Sequence, residues 1–196
     1  MTDDIAVHRI DGPAMPAELA TEVDAIFFEA SGRTSFASPE ERAAFRERWL
    51  GRYLKAGTDV VLIAEDPSGA VAGYLVGALE DPAGQERFAD IDYFRGAFRE
   101  LCRRYPAHLH INLAPRFRDR GIGPRLIAAF AAHAAAAGVP GLHVVTAKAA
   151  RNVRFYARCG LTEVGATCWN GREVVFLAKS VEGVRHSGPS GSETIQ

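Results

Sequence analysis

With 196 residues, 47% of them hydrophobic and 24% charged, the chain has ordinary globular composition and length enough for one substantial core, which excludes a disordered chain. Lys and Arg number 23 against 24 Asp and Glu, a formal net charge of −1, so no nucleic-acid partner is expected on electrostatic grounds. The three cysteines, Cys102, Cys159 and Cys168, form no C-x-x-C and no close pair; neither a disulfide framework nor a metal site is expected, and a reducing, cytoplasmic setting fits.

Ile5 to Arg9 reads as a first strand. Ala17 to Ala30 carries Leu19, Val23, Ile26 and Phe27 at helical spacing and ends at Gly32. Ser38-Pro39-Glu40-Glu41 opens a second helix with a capping Ser, a first-turn Pro and acids at the positive end of the dipole; its apolar stripe is Phe45, Trp49 and Tyr53. Two strands, Asp59 to Glu65 and Val71 to Leu79, flank the turn Asp66-Pro67-Ser68-Gly69 and predict a hairpin. Gln85 to Tyr105 places Phe88, Ile91, Phe94, Phe98 and Leu101 three or four residues apart, which predicts one amphipathic helix stopped by Pro106.

Leu109 to Leu113 is a short strand. A basic loop, Arg116 to Arg125, leads from it into an Ala-rich helix from about Pro124 to Ala137, closed by Gly138 and Pro140. That helix is too short, and too interrupted at His133, to span a bilayer, and no membrane partner is expected. Leu142 to Thr146 is a strand and Asn152 to Arg158 a short helix before Gly160; Leu161 to Thr167 and Arg172 to Lys179 pair across Asn170-Gly171. The acidic start, Met1-Thr2-Asp3-Asp4, is unlike a signal peptide, and residues 182–196 read as a disordered tail, leaving a single domain over residues 1–181. These elements predict an α/β (α+β) fold: a mixed, mostly antiparallel sheet of about six to seven strands, flanked by helices, with a helical insert before the core strand.

The segment that carries chemistry is Ile111-Asn112-Leu113-Ala114-Pro115-Arg116-Phe117-Arg118-Asp119-Arg120-Gly121-Ile122-Gly123. A strand enters a turn with two glycines and passes directly into a helix, whose unpaired amides and positive dipole end make an anion site. Gly121 and Gly123 are expected to let a phosphate approach the backbone, and Arg116, Arg118, Arg120 and Arg125 to pair with further phosphate oxygens. A P-loop requires Gly-Lys-Ser/Thr where the chain has Gly123-Pro124-Arg125, and a dinucleotide fingerprint requires a third Gly where Leu126 stands. A pyrophosphate on Arg-x-x-Gly-x-Gly remains.

These residues resemble the GNAT superfamily of N-acetyltransferases. The likeness rests on Ile111, Leu113, Pro115, Arg118, Gly121, Gly123, Leu126 and Ile127, on Phe155-Tyr156 with Gly160 and Leu161, and extends over roughly Val60 to Leu177. Tyr105 to Leu113, with the Phe-rich segment before it, is similar to the branch containing the acetyltransferase-like domain of O-GlcNAc hydrolases and its free-standing bacterial relatives. The resemblance implies a GNAT fold, acetyl-CoA as acyl donor and no metal. It further implies backbone groups of Ile111 and Leu113 on the pantetheine arm, and amides of Arg118, Asp119, Arg120, Gly121, Ile122 and Gly123 on the pyrophosphate. Phe155 and Tyr156 fall beside the coenzyme, with Tyr156 as acid for the departing thiolate.

Three residues depart from the family pattern. Pro124 offers no N–H, Asn152 stands three residues before Phe155 with Ala149 at the usual Asn position, and the core strand carries Asn112 where many relatives have an acid. The general base is therefore open. His110 and Asn112 share a strand face with His108 and are the candidates at the reacting centre; Asp90, Asp92 and Tyr93 are rivals if the insert roofs the acceptor. The expected function is acetyl transfer to an amine of a small molecule or protein by direct attack on the thioester, by a monomer or homodimer. The alternatives are a CoA-binding module without chemistry, and an acyltransferase using a longer chain or a hydroxyl acceptor.

Overall fold

The computed structural model describes residues 4–33 and 35–181; the predicted tail lies outside the described residues. In chain order the elements are β1 (Ala6–Ile10), α1 (Ala17–Ala30), α2 (Pro39–Arg46), α3 (Arg52–Lys55), β2 (Val60–Glu65), β3 (Val71–Ala78), α4 (Asp92–Arg95), α5 (Arg99–Arg104), β4 (Ala107–Leu113), α6 (Ile122–Ala136), β5 (Gly141–Ala147), α7 (Asn152–Arg158), β6 (Thr162–Trp169) and β7 (Arg172–Ser180). They form a seven-stranded sheet in the order β1-β2-β3-β4-β5-β7-β6. Every neighbouring pair is antiparallel except β4 and β5. Among the described residues no helix is long and apolar enough to cross a membrane.

Strand alternation divides the core into two layers. Val61 and Ile63 of β2, Tyr74 and Val76 of β3 and Phe176 of β7 face α1, α2, α3 and the insert. Val60, Leu62, Leu75, Leu109, Val144 and Val175 face α6 and α7, with Leu126, Ile127 and Phe130 of α6 fully buried over the sheet. Central strands covered on both faces explain why β2 reads as a continuous apolar run.

The expected single helix over Gln85–Tyr105 is corrected. The segment is a chain of short turns, α4 ending at Gly96 (φ −97°, ψ −111°) and α5 beginning at Arg99. Phe88, Ile91, Phe94 and Phe98 are nevertheless all buried, so their spacing recorded burial without helical continuity. Polar anchors outside the apolar pattern hold the turns in place. Asp90 is gripped by Arg48 and Arg52, and Arg87 forms a two-pronged pair with Asp59, itself only 4% exposed. Between α2 and α3 the helix carries a π turn, Glu47–Gly51, which holds Trp49.

Candidate active site

β4 and β5 pair only at Ala107 with Leu142 and His108 with His143, then part. The gap is a cleft of about 210 Å3, lined by Leu109 to Asn112 from β4, Val144 to Thr146 from β5, Trp49, Asn152 and Tyr156. The Ala114 N–H donates to the Ala72 carbonyl on the β3 side, so alternation directs the backbone groups of Ile111 and Leu113 toward the gap. A strand edge facing a cleft can accept an extended ligand as an added strand. The Leu113 carbonyl already accepts from Arg118 Nε at 3.2 Å.

The loop after β4 reaches α6 through two residues at positive φ, Asp119 (59°) and Gly121 (75°). Gly121 precedes the first turn of α6, and a side chain there would meet nothing within 4 Å, so glycine serves the left-handed backbone and leaves the approach open. Gly123 carries a second constraint. A Cβ on it would lie 2.9 Å from the Phe155 ring, so glycine there also permits close helix–helix packing. The arginines are also partly committed: Arg125 donates to the Ile5 carbonyl at 2.7 Å, and Arg116 and Arg120 lie over the Phe117 ring. The exposed loop backbone and the amides of Ile122 and Gly123 at the start of a fifteen-residue helix suit an anion.

Tyr156 reaches the cleft from α7, and burial, with a smaller effect of Cys159, raises its phenol above the usual range. On the opposite side of β4, His108 is a packed core residue among Phe88, Phe94 and Tyr53, while His110 lies edge-on to Trp49 and Tyr53 and reaches the cleft. Burial and then the Arg52 charge lower His110 to about 4, so its ring is neutral at neutral pH. Asn112 is pinned by donating from Nδ2 to the Tyr74 hydroxyl at 2.8 Å. Of the rival bases, Asp90 is held ionised by Arg52 and Arg48, and Tyr93 is packed against Trp169.

The structure brings His110, Asn112 and Tyr156 to one cleft, and the β4 strand that lines it continues into the loop. It adds Trp49 and Thr146 to the lining beside Asn152, and places Tyr74 behind Asn112. Trp49 reads in sequence as part of an apolar stripe, and only the π turn distinguishes it. Asn152 accepts from the Thr146 hydroxyl at 3.0 Å and lines the cleft from its shifted position. Tyr74 faces Asn112 through the β3–β4 register, which no local motif announces.

Residues 24–161 match the acetyltransferase (GNAT) family. Solved structures with similar folds include SsHAT, 21% identical with a TM-score of 0.67, over 91% of this chain and 98% of that one. A GNAT-family protein from Desulfovibrio desulfuricans is 20% identical with a TM-score of 0.63, over 90% of this chain and 99% of its own. The protein yncA from Salmonella typhimurium, determined with its cofactor acetyl-CoA, is 15% identical with a TM-score of 0.56, over 96% and 99%. The match covers well over half of the sequence, and the chain belongs to the GNAT family of acetyltransferases.

Proposed function

We propose that the chain transfers an acetyl group from acetyl-CoA to a nitrogen of an acceptor. The parting of β4 from β5 supports this reading above all: it turns the backbone groups of Ile111 and Leu113 toward a cleft, and the strand that lines it runs on into the Arg118–Gly123 loop. In this reading those backbone groups hold the pantetheine arm, and the loop with the first amides of α6 holds the pyrophosphate. Acetyl-CoA bound there supplies an activated acyl carbon and a thiolate leaving group.

Tyr156 remains protonated at any physiological pH because burial disfavours the phenolate, so it is available to donate a proton where negative charge develops on sulfur. Trp49, His110 and Asn112 border the acceptor side and fix where the nitrogen sits. The segment Tyr105–Leu113 and its preceding insert support placing the chain nearest the branch that includes the acetyltransferase-like domain of O-GlcNAc hydrolases. A cytoplasmic setting, with acceptor and coenzyme as the partners, completes the proposal.

Isothermal titration with acetyl-CoA tests the coenzyme half; saturable binding at tens of micromolar or below is expected, and no heat at that concentration overturns it. Thiol release over a panel of amines tests transfer. Binding without turnover on any amine would leave a CoA-holding module in its place.

A further inference from the structure

The cleft is lined without a formal charge at neutral pH. Among the described residues that line it there is no carboxylate, no lysine and no arginine. Of the acids on the surrounding elements, Asp90 is paired with Arg48 and Arg52, Asp24 with Arg46, Glu47 with Lys55 and Glu173 with Lys148, while Asp92 is exposed and does not line the cleft. What the acceptor side offers is a fixed amide. Asn112 spends Nδ2 on Tyr74, whose side chain is fully buried, and its Oδ1 has no hydrogen-bond partner among the described residues. That leaves a hydrogen-bond acceptor that takes an N–H but cannot take a proton.

We infer that the acceptor nitrogen is bound uncharged, with its N–H on the Asn112 side-chain carbonyl that Tyr74 aims, so that the substrate class is the weakly basic amines, such as arylamines and hydrazines. This rests on the acetyl-transfer reading above. An alkylammonium carries one proton more, and the site gives it nowhere to go. The groups facing His110 are Arg52, Trp49 and Tyr53 from the π turn and α3, His108 from its own strand and His143 from β5. None is anionic, and Arg52 repels a further positive charge. With His110 at about 4 and an alkylammonium near 10.4, the transfer between them is unfavourable by roughly a millionfold.

For an uncharged nitrogen the protons balance without a strong base. Tyr156 gives its proton to sulfur as the C–S bond breaks and the N–C bond forms. It recovers one from solvent water, which takes the proton that the nitrogen sheds. Tyr74 acts through Asn112 and is a positioning residue.

Aniline and benzylamine carry the same ring but differ in basicity, and they are the probes. With the full chain and saturating acetyl-CoA, log kcat/KM for benzylamine is expected to rise with a slope of about one from pH ~6 to ~8.5, as the neutral form accumulates, while the aniline profile stays flat. Tyr74→Phe is expected to lower kcat/KM for aniline about five- to tenfold, the effect of one aligning hydrogen bond, without changing either slope or acetyl-CoA affinity. A flat benzylamine profile in the unsubstituted protein overturns the inference, as does acetyl-CoA binding without aniline turnover. Absence of acetyl-CoA binding overturns the transfer reading first and this one with it.

Discussion

On one side of the sheet, the β4–α6 loop, α6 and α7 present a surface made almost entirely from one contiguous stretch, Ile111 to Ile127, completed by Phe155 and Tyr156. On the other side, Trp49, Tyr74, Trp169 and the β4 pair His110 and Asn112 come from four separate elements and meet only through tertiary packing. The first side is set by local backbone chemistry, the second by the register of distant strands and by an insert tied down at a few points. The two should therefore fail differently, the proposed acceptor side through loss of anchors and the proposed coenzyme side through small changes of backbone conformation.

The largest stability effect is expected at the insert's anchor. Asp59 is almost fully buried, and burial raises its carboxyl against the opposing pull of Arg87, so the pair holds only because both partners are present. Asp59→Asn leaves the Arg87 guanidinium half-buried and without its counter-charge, at an expected cost of about 3 kcal/mol or more in urea unfolding. A loss below about 1 kcal/mol would mean that aromatic packing around Phe88 alone secures the insert.

Chemistry provides the next break. Tyr156→Phe keeps the ring and removes the acid, so kcat is expected to fall about a hundredfold with acetyl-CoA affinity within about twofold. Unchanged turnover would leave Tyr156 as a packing residue of the α7–sheet layer.

Acid separates the two sides further. His108 and His143 are buried and stacked on each other where β4 and β5 last pair, and burial pushes both below their usual value, His143 to about 3. Both rings donate from Nδ1 to carbonyls, of Pro106 and Tyr105, and neither Nε2 has a partner. Because the folded values lie below the unfolded value near 6.5, the neutral forms stabilise the fold above that pH. Stability is lost as pH falls below it toward the folded values, by up to about 1.4 kcal/mol per pH unit for each ring. Urea unfolding at pH ~6.5, ~5.5 and ~4.5 reads this slope, and His143→Gln should reduce it.

The contrast also explains what was legible in the sequence. The strand–loop–helix and the Asn170-Gly171 hairpin are local events, visible because neighbouring residues determine them. The insert misled because Phe88, Ile91, Phe94 and Phe98 need only reach the core, and a succession of turns achieves this as well as a helix does. Trp49 at the cleft depends on a π turn, and Tyr74 opposite Asn112 depends on β3–β4 register; neither leaves a mark in its own neighbourhood.

The two loop glycines give the finest test. They look equivalent in sequence, yet Gly121 stands in open space at φ 75°, and Gly123 is pressed against Phe155. At Gly121 only the backbone is at issue, and an L residue there costs about 1 kcal/mol, less for asparagine, which tolerates the left-handed region. Gly121→Ala is thus expected to weaken acetyl-CoA binding about fivefold through a displaced α6 start, and Gly121→Asn less. At Gly123 the added methyl meets a ring, so the cost depends on whether Phe155 can move, and Phe155→Leu should relieve it. The double variant Gly123→Ala/Phe155→Leu is accordingly expected to bind acetyl-CoA more tightly than Gly123→Ala alone, whereas adding Phe155→Leu to Gly121→Ala should bring no recovery. Equal rescue of both would show that a single constraint, and not two, shapes this turn.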